Sequence, residues 1–379
     1  MQKNKINPFQ FLVLVIFFTI GTSILALPSA LAIKSAQDAW IAAIIGAIVG
    51  VLVIWFFTFI GLWFPELTYI QLNEKILGKW LGKIVSLIFV LMCLLYVATL
   101  LVHSGSFLKT QMLPNTPMVV LNSLEAFILT MAVRLGLPTF ARTAEILIFV
   151  FFFLFIVLVG FILPQIEIVN LEPIFQSSGK SLIQSSLQVV VITSVNAIVL
   201  LMIFPAFITQ VKKAKKYFFI GNIIGGIIII IITMLCVFVL GSNVTARQFY
   251  PSYALAKVIN VGNFVNRIEG FMAALWIMSL YFKIVLYFFA SVLGLAQILN
   301  LKDYRPLTYP LGIIVLALSV ITFPNIIYLE NFDTTTSLSL SIVVGLFFPL
   351  LLVIIYAFRK KQLKKNTSSS QVSSAEKPD

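Results

Sequence analysis

Two short polar patches and two ionisable side chains interrupt otherwise apolar stretches of this chain. The first patch is Gly21-Thr22-Ser23 in FFTIGTSILALPSALAI, with Pro28 following. The second is Thr193, Ser194 and Asn196 in LQVVVITSVNAIVLLMIFPAF, with Pro205 following. Glycine permits unusual backbone angles and proline weakens a helix ladder. Ser, Thr and Asn side chains re-satisfy backbone groups that a break sets free. An interrupted helix exposes unpaired N–H groups where one half starts and unpaired carbonyls where the other ends. The N–H end carries partial positive charge and suits a carboxylate. The carbonyl end suits an ammonium. The competing reading is that such small residues are ordinary contact faces between helices in lipid. Lys283 and Glu125 lie deep in apolar runs, where an ionisable group is expensive unless it faces protein or water and finds a partner.

The elements that carry these residues follow from composition. Of 379 residues, 60% are hydrophobic and only 10% are charged, with a mean hydropathy of +1.08. A soluble domain is about 45–50% apolar and about 25% charged. Cys93 and Cys236 both sit in apolar runs, and there is a single histidine. No disulfide framework or zinc spacing is present. No phosphate loop or nucleophile triad occurs either, so the chain reads as no enzyme and no cofactor is expected. Gly221, Gly225 and Gly226 form a small-residue packing face rather than a nucleotide loop.

A spanning helix needs about 20 apolar residues. Ten such runs are legible: 9–33, 39–62, 84–108, 118–135, 144–164, 185–208, 217–241, 268–299, 307–325 and 335–358. With the N-terminus inside, nineteen Lys and Arg fall on the cytoplasmic side and six on the other, with Lys283 within a span. That asymmetry places both termini in the cytoplasm. The net charge of +13 is then a topology signal toward the anionic leaflet of the bilayer, and no nucleic-acid partner is expected. Lys3 and Lys5 before an apolar stretch raise a cleaved signal peptide as an alternative, but 9–33 is longer than such a peptide's apolar region. The reading is one membrane domain, 1–358, with 9–164 and 185–358 as halves, and a disordered cytoplasmic tail, 359–379.

Ten spans divide into five and five. An odd number per half turns the halves upside down relative to one another, as in the inverted repeats of secondary transporters. The two polar patches occupy matching places, near the middle of the first span of each half. The fold class expected is therefore all-α and polytopic, with spans 1 and 6 discontinuous near mid-membrane.

Longer motifs add a resemblance. GTSILALP in span 1, FPELTYIQLNEKILGKWLGK after span 2, FP after span 6 and FVNRIEGFMAALWIMSLYFK leading through span 8 run along the whole chain. Together they resemble the spore germination permease family, the B-type subunit of nutrient germinant receptors. That family lies in the amino acid–polyamine–organocation superfamily, whose leucine-transporter-like fold has five plus five helices. The resemblance implies an inner spore membrane, an A-type membrane subunit and a C-type lipoprotein as partners, and a small nutrient ligand, often an amino acid.

A midplane pocket is then expected between Gly21, Thr22, Ser23 and Ile24 of span 1 and Thr193, Ser194, Val195 and Asn196 of span 6. The superfamily completes its site from spans 3 and 8, which adds Tyr96, Trp276 and Ser279. Tyr96 reads equally as a packing aromatic. Sodium-coupled relatives bridge spans 1 and 8 with a cation, and Lys283 is expected to stand in for it by bonding freed span-1 carbonyls. The alternatives for Lys283 are an ion pair with Glu125 or a vestibule position. Glu125 reads as an interhelical hydrogen-bonding group or a proton relay, and His103 as an interfacial residue. Arg267 and Glu269 mark a gate, a subunit contact or a simple cap at the start of span 8. Three functions fit: a receptor subunit, an amino acid permease working by alternating access, and a water or ion conduit.

Overall fold

The computed structural model describes residues 5–259 and 268–360. Arg267 and tail residues 361–379 lie outside the described residues. The apolar runs are helical because backbone polar groups in lipid must be paired within their own segment. In chain order the helices are α1 (Pro8–Ile20), α2 (Ser23–Ser35), α3 (Ala39–Gly61), α4 (Tyr69–Leu77), α5 (Lys79–Phe107), α6 (Met118–Leu135) and α7 (Leu137–Ile162). They continue with α8 (Gly179–Val190), α9 (Val211–Leu240), α10 (Ser242–Arg247), α11 (Pro251–Val258), α12 (Glu269–Ile298), α13 (Thr308–Ile321), α14 (Ile326–Asn331) and α15 (Ser337–Ile342). A further helix, 348–360, closes the described chain. Among the described residues eight helical stretches are long and apolar enough to cross a membrane, and the protein is an all-α, multi-pass membrane protein.

Local chemistry sets several boundaries. Asn7 and Gln10 cap α1 reciprocally, and Thr68 and Gln71 do the same for α4, which satisfies otherwise orphaned amides. The α6–α7 connection is Gly136 alone, at φ +99°, an angle that glycine adopts without steric cost. Several helices start earlier than the apolar runs. α9 begins at Val211 and includes the exposed Lys212, Lys213, Lys215 and Lys216, because polar turns outside lipid are still helical. The last helix runs through Arg359 and Lys360, past the sequence boundary at 358. Arg359 Nη1 donates to the Ile76 carbonyl at 2.7 Å, tying that end to α4. α12 and α9 are equally long at 30 residues each.

α1 and α12 form the centre. Every residue of α1 but Phe9 is buried, and α12 is buried without interruption from Phe282 to Gly294. The outer faces of α3 and α7 instead expose Ile48, Leu52, Trp55, Phe149, Phe153 and Ile156, an apolar surface suited to lipid. Gly221 and Gly225 of α9 lie against Val15 and Thr19 of α1, where a Cβ would come within 2.8 and 2.7 Å. The glycine pattern of span 7 is thus a close helix–helix contact. On the N-terminal side, Ile6 pairs with the 207–209 segment: Ile6 N donates to Phe207 O (2.9 Å) and Thr209 N to Ile6 O (3.1 Å). Phe11 stacks on Phe204 just above it, with centroids 5.7 Å apart.

Candidate functional site

Span 1 is two helices. α1 ends at Ile20 and α2 begins at Ser23, with Gly21 at φ +28° between them. α12 closes against this break. Ser279 Oγ donates to the Gly21 carbonyl at 3.2 Å, and the Lys283 side chain passes so close that a Cβ on Gly21 would collide with it. Glycine is needed here for both angle and space. α2 has no side-chain cap, since Thr22 makes no capping bond. The amides at its start therefore have no side-chain partner, while those of Leu25 and Ala26 turn back to the Thr22 carbonyl at 3.3 and 3.4 Å.

Span 6 behaves differently. α8 passes into a π turn, Val191–Val195, and then a 3-10 segment, Asn196–Met202. The chain changes pitch instead of breaking. A π turn loosens the ladder and is often found at functional sites. Here the Ile192 carbonyl accepts a hydrogen bond from Lys283 Nζ at 3.3 Å. The expected bond from Lys283 to span-1 carbonyls is not formed; Ser279 bonds the Gly21 carbonyl and Lys283 reaches span 6. Lys283 also does not pair with Glu125. Among the described residues Lys83 pairs with Glu74, and His103 Nε2 lies 2.8 Å from Asp333 Oδ2. Glu125 instead has Ser104 of α5 as its hydrogen-bonding neighbour.

A cavity of about 370 Å³ extends from the break toward the face opposite the N-terminus. Thr22, Ser23, Tyr96, Asn196, Trp276 and Lys283 all line it. The other expected residues do not. Ile24 is fully buried, and its carbonyl accepts from Ser252 of α11 at 2.6 Å. Gly21 and Ser279 lie behind the floor, bonded to each other. Val195 packs against Gly345. Thr193 and Ser194 turn to the far side of span 6, where Ser194 Oγ accepts from Asn222 of α9 at 3.1 Å and lies 3.2 Å from Thr193 Oγ1. Gln188, Ile192 and Asn196, four residues apart, hold the cavity face of span 6, so Thr193 and Ser194 between them point elsewhere.

The floor is rich in donors. Lys283 is 2% exposed and uses one hydrogen bond of the three its ammonium can make. Ser23 Oγ and Tyr287 OH are buried with no hydrogen-bond partner among the described residues, as are Trp276 Nε1 and Gln188 Oε1 higher up. Buried polar atoms in native structures are nearly always satisfied, so this convergence marks a place where a polar ligand group fits. Tyr96 is engaged differently. Its hydroxyl donates to the Ser337 carbonyl (2.8 Å) and lies 2.6 Å from Ser341 Oγ, which donates to Asn196 Oδ1 at 2.8 Å. Spans 3, 10 and 6 are thereby joined at the cavity wall.

The family model described as "Spore germination protein" matches residues 5–327. The chain belongs to the spore germination protein family. Spore germination protein KB of Bacillus subtilis (strain 168) is 28% identical over 374 residues, covering 97% of this chain and 98% of that relative. Spore germination protein A2 of the same strain is 27% identical over 309 residues, covering 79% and 82%. Among solved structures, MhsT in complex with L-phenylalanine superposes with a TM-score of 0.64 at 14% identity, over 94% of this chain and 99% of that one. The nucleobase-cation-symport-1 transporter MHP1, with bromovinylhydantoin bound, also gives 0.64 at 12% identity, over 90% and 78%. These structures establish the leucine-transporter-like fold. The spore germination family is one of receptors and transporters, not enzymes.

In this family member the cavity wall also holds residues that sequence reasoning passed over. Tyr287, Gln188, Thr99 and Ser337 line it, and Lys34, Arg247 and Glu330 ring its mouth. His103, read as interfacial, lines the cavity too and pairs with Asp333 of span 10 at 2.8 Å. Tyr287 was findable, lying four residues beyond Lys283 on the same helix face. Span 10 gave no such signal, because its polar residues run on from the π turn Phe332–Thr336 into α15, Ser337–Ile342, without a periodicity that marks one face.

Proposed function

We propose that this protein is a nutrient germinant receptor subunit of the spore inner membrane. It binds a small nutrient such as an amino acid in the midplane cavity, and binding triggers germination. The observation that carries this reading is the donor-rich floor at the Gly21 break, in a chain of this family and fold. A carboxylate there would meet the uncapped amides at the start of α2, the Lys283 ammonium and the orphaned hydroxyl of Ser23. Lys283 supplies a fixed positive charge between spans 1, 6 and 8 and so takes the place of a bound cation. A ligand can shift the receptor's state only through different affinities for two conformations.

The finer architecture belongs to the same proposal. Dividing the long first stretch, Pro8–Gly61, at Ala36–Asp38 and adding the shorter apolar helix Arg305–Ile321 gives ten crossings. The break at 21–22 and the change of pitch at 191–202 fall in the first span of each five-helix half, which supports an inverted repeat. Both termini lie in the cytoplasm, and the A-type membrane subunit and C-type lipoprotein are the partners. MhsT, the neighbour solved with L-phenylalanine, supports an amino acid as the ligand. It also keeps a second reading in play, an active permease.

Spores lacking this chain, screened against single amino acids and sugars, test the receptor reading. Loss of response to at least one nutrient is expected; undiminished germination to every nutrient counts against it. Counterflow in liposomes containing this chain alone separates the two readings, since robust exchange there favours the permease. Water-permeability measurements on the same liposomes address a conduit.

A further inference from the structure

Between the donor floor and the charged mouth the cavity has a middle tier of a different character. One side is α2, where Thr22, Ala26 and Ala30 follow one another at four-residue spacing and so share a face. All three are half-buried and line the cavity, whereas Leu25 and Leu27, which border it too, are buried. The most open part of the α2 wall is thus the alanine face. The opposite walls are Leu100 of α5, Ile192 of span 6 and Trp276 of α12. Trp276 is 2% exposed, is held edge-on to Phe107 with centroids 4.7 Å apart, and leaves its Nε1 unpartnered.

At about 370 Å³ the cavity falls in the ~300–1,000 Å³ range of pockets that enclose drug-sized ligands. Glycine or alanine seated on the floor would leave the middle tier to water, against apolar walls. A larger apolar side chain would displace that water and gain with each methylene buried.

We propose that the middle tier is a side-chain subsite selecting amino acids with bulky apolar side chains, and that Ala26 and Ala30 set its width. This rests on the reading that an amino acid carboxylate occupies the floor. The carboxylate lies on Lys283 and the α2 amides, and the side chain rises along the alanine face toward Trp276. The charged rim stays in water above it.

Equilibrium binding of L-alanine, L-leucine and L-phenylalanine to the purified full chain in lipid nanodiscs tests this, with thermal unfolding as the folding control. Leucine and phenylalanine should bind at least about 10-fold more tightly than alanine, the discrimination of a fitted apolar pocket. Ala26→Phe should weaken both by at least about 10-fold and change alanine binding less than about 2-fold. Ala30→Phe, one turn further out, carries the test if Ala26→Phe does not fold, and should act more on phenylalanine than on leucine. Alanine binding as tightly as the larger two overturns the subsite and leaves the receptor reading standing. So do folded variants that lower all three affinities equally. Failure of all three amino acids to bind overturns both the subsite and the amino acid reading beneath it.

Discussion

Spans 1 and 6 carry similar polar patches, yet they answer the same demand in opposite ways. Span 1 stops winding at Gly21, and α12 takes up what is released: Ser279 bonds the freed carbonyl and Lys283 fills the space a side chain would need. Span 6 keeps winding, but loosely, and releases one carbonyl, Ile192, to the same lysine. One helix is cut and the other re-pitched, and a single side chain from α12 reads both. A glycine makes a hinge whose two sides can move apart. A π turn makes a register shift that moves side chains without parting the rod.

The contrast can be broken at the glycine first. Gly21→Ala adds a Cβ against Lys283 at a positive φ. The expected cost is about 1–3 kcal/mol from overpacking and a similar ~1–3 kcal/mol from backbone strain, seen as a lowered thermal midpoint in nanodiscs and loss of nutrient response. An unchanged midpoint would mean the break does not depend on glycine. Lys283→Met comes next. It preserves the stem in the Gly21 slot but removes the ammonium from the floor and from Ile192. Nutrient response should fall roughly 10–100-fold, in line with about 1.5–3 kcal/mol for a hydrogen bond to a charged group, while membrane insertion is retained. A fully responsive, normally inserted variant removes the lysine from the mechanism.

Two smaller changes sharpen the picture. Ser279→Ala leaves the Gly21 carbonyl without its partner and should cost about 0.5–1.5 kcal/mol, read as a several-fold weaker response with Lys283 intact. Ser194→Ala should leave ligand affinity within about 2-fold, because Ser194 faces Asn222 and not the cavity. A large loss of affinity at unchanged stability would show that Ser194 is not held away from the cavity.

The membrane architecture was legible because the bilayer allows so few solutions. Long apolar runs mark the helices, and the Gly21-Thr22-Ser23 patch falls where span 1 is interrupted. The site was legible on span 1, where glycine acts through the backbone and its effect does not depend on helical phase. It was half legible on span 6. Thr193 and Ser194 sit at the right depth, but depth follows from position in the run, whereas facing follows from the winding. The face set by Gln188, Ile192 and Asn196 carries no single polar mark that separates it from Thr193 and Ser194. Lys283 shows a third kind of limit. Its burial and cost were plain from sequence, but its partner is a carbonyl of span 6, Ile192, and main-chain carbonyls leave no trace in side-chain identity.

The seam at Ile6 bears on what separates a sensor from a carrier. Ile6 and the 207–209 segment share two main-chain hydrogen bonds, with Phe11 against Phe204 and Phe218 and Gln10 bonded to Glu145 beside them. At about 0.5–1.5 kcal/mol per hydrogen bond, the main-chain pair alone is a light latch. Under the permease reading this seam must part to release cargo toward the N-terminal side; under the receptor reading it can stay shut while the cavity is occupied.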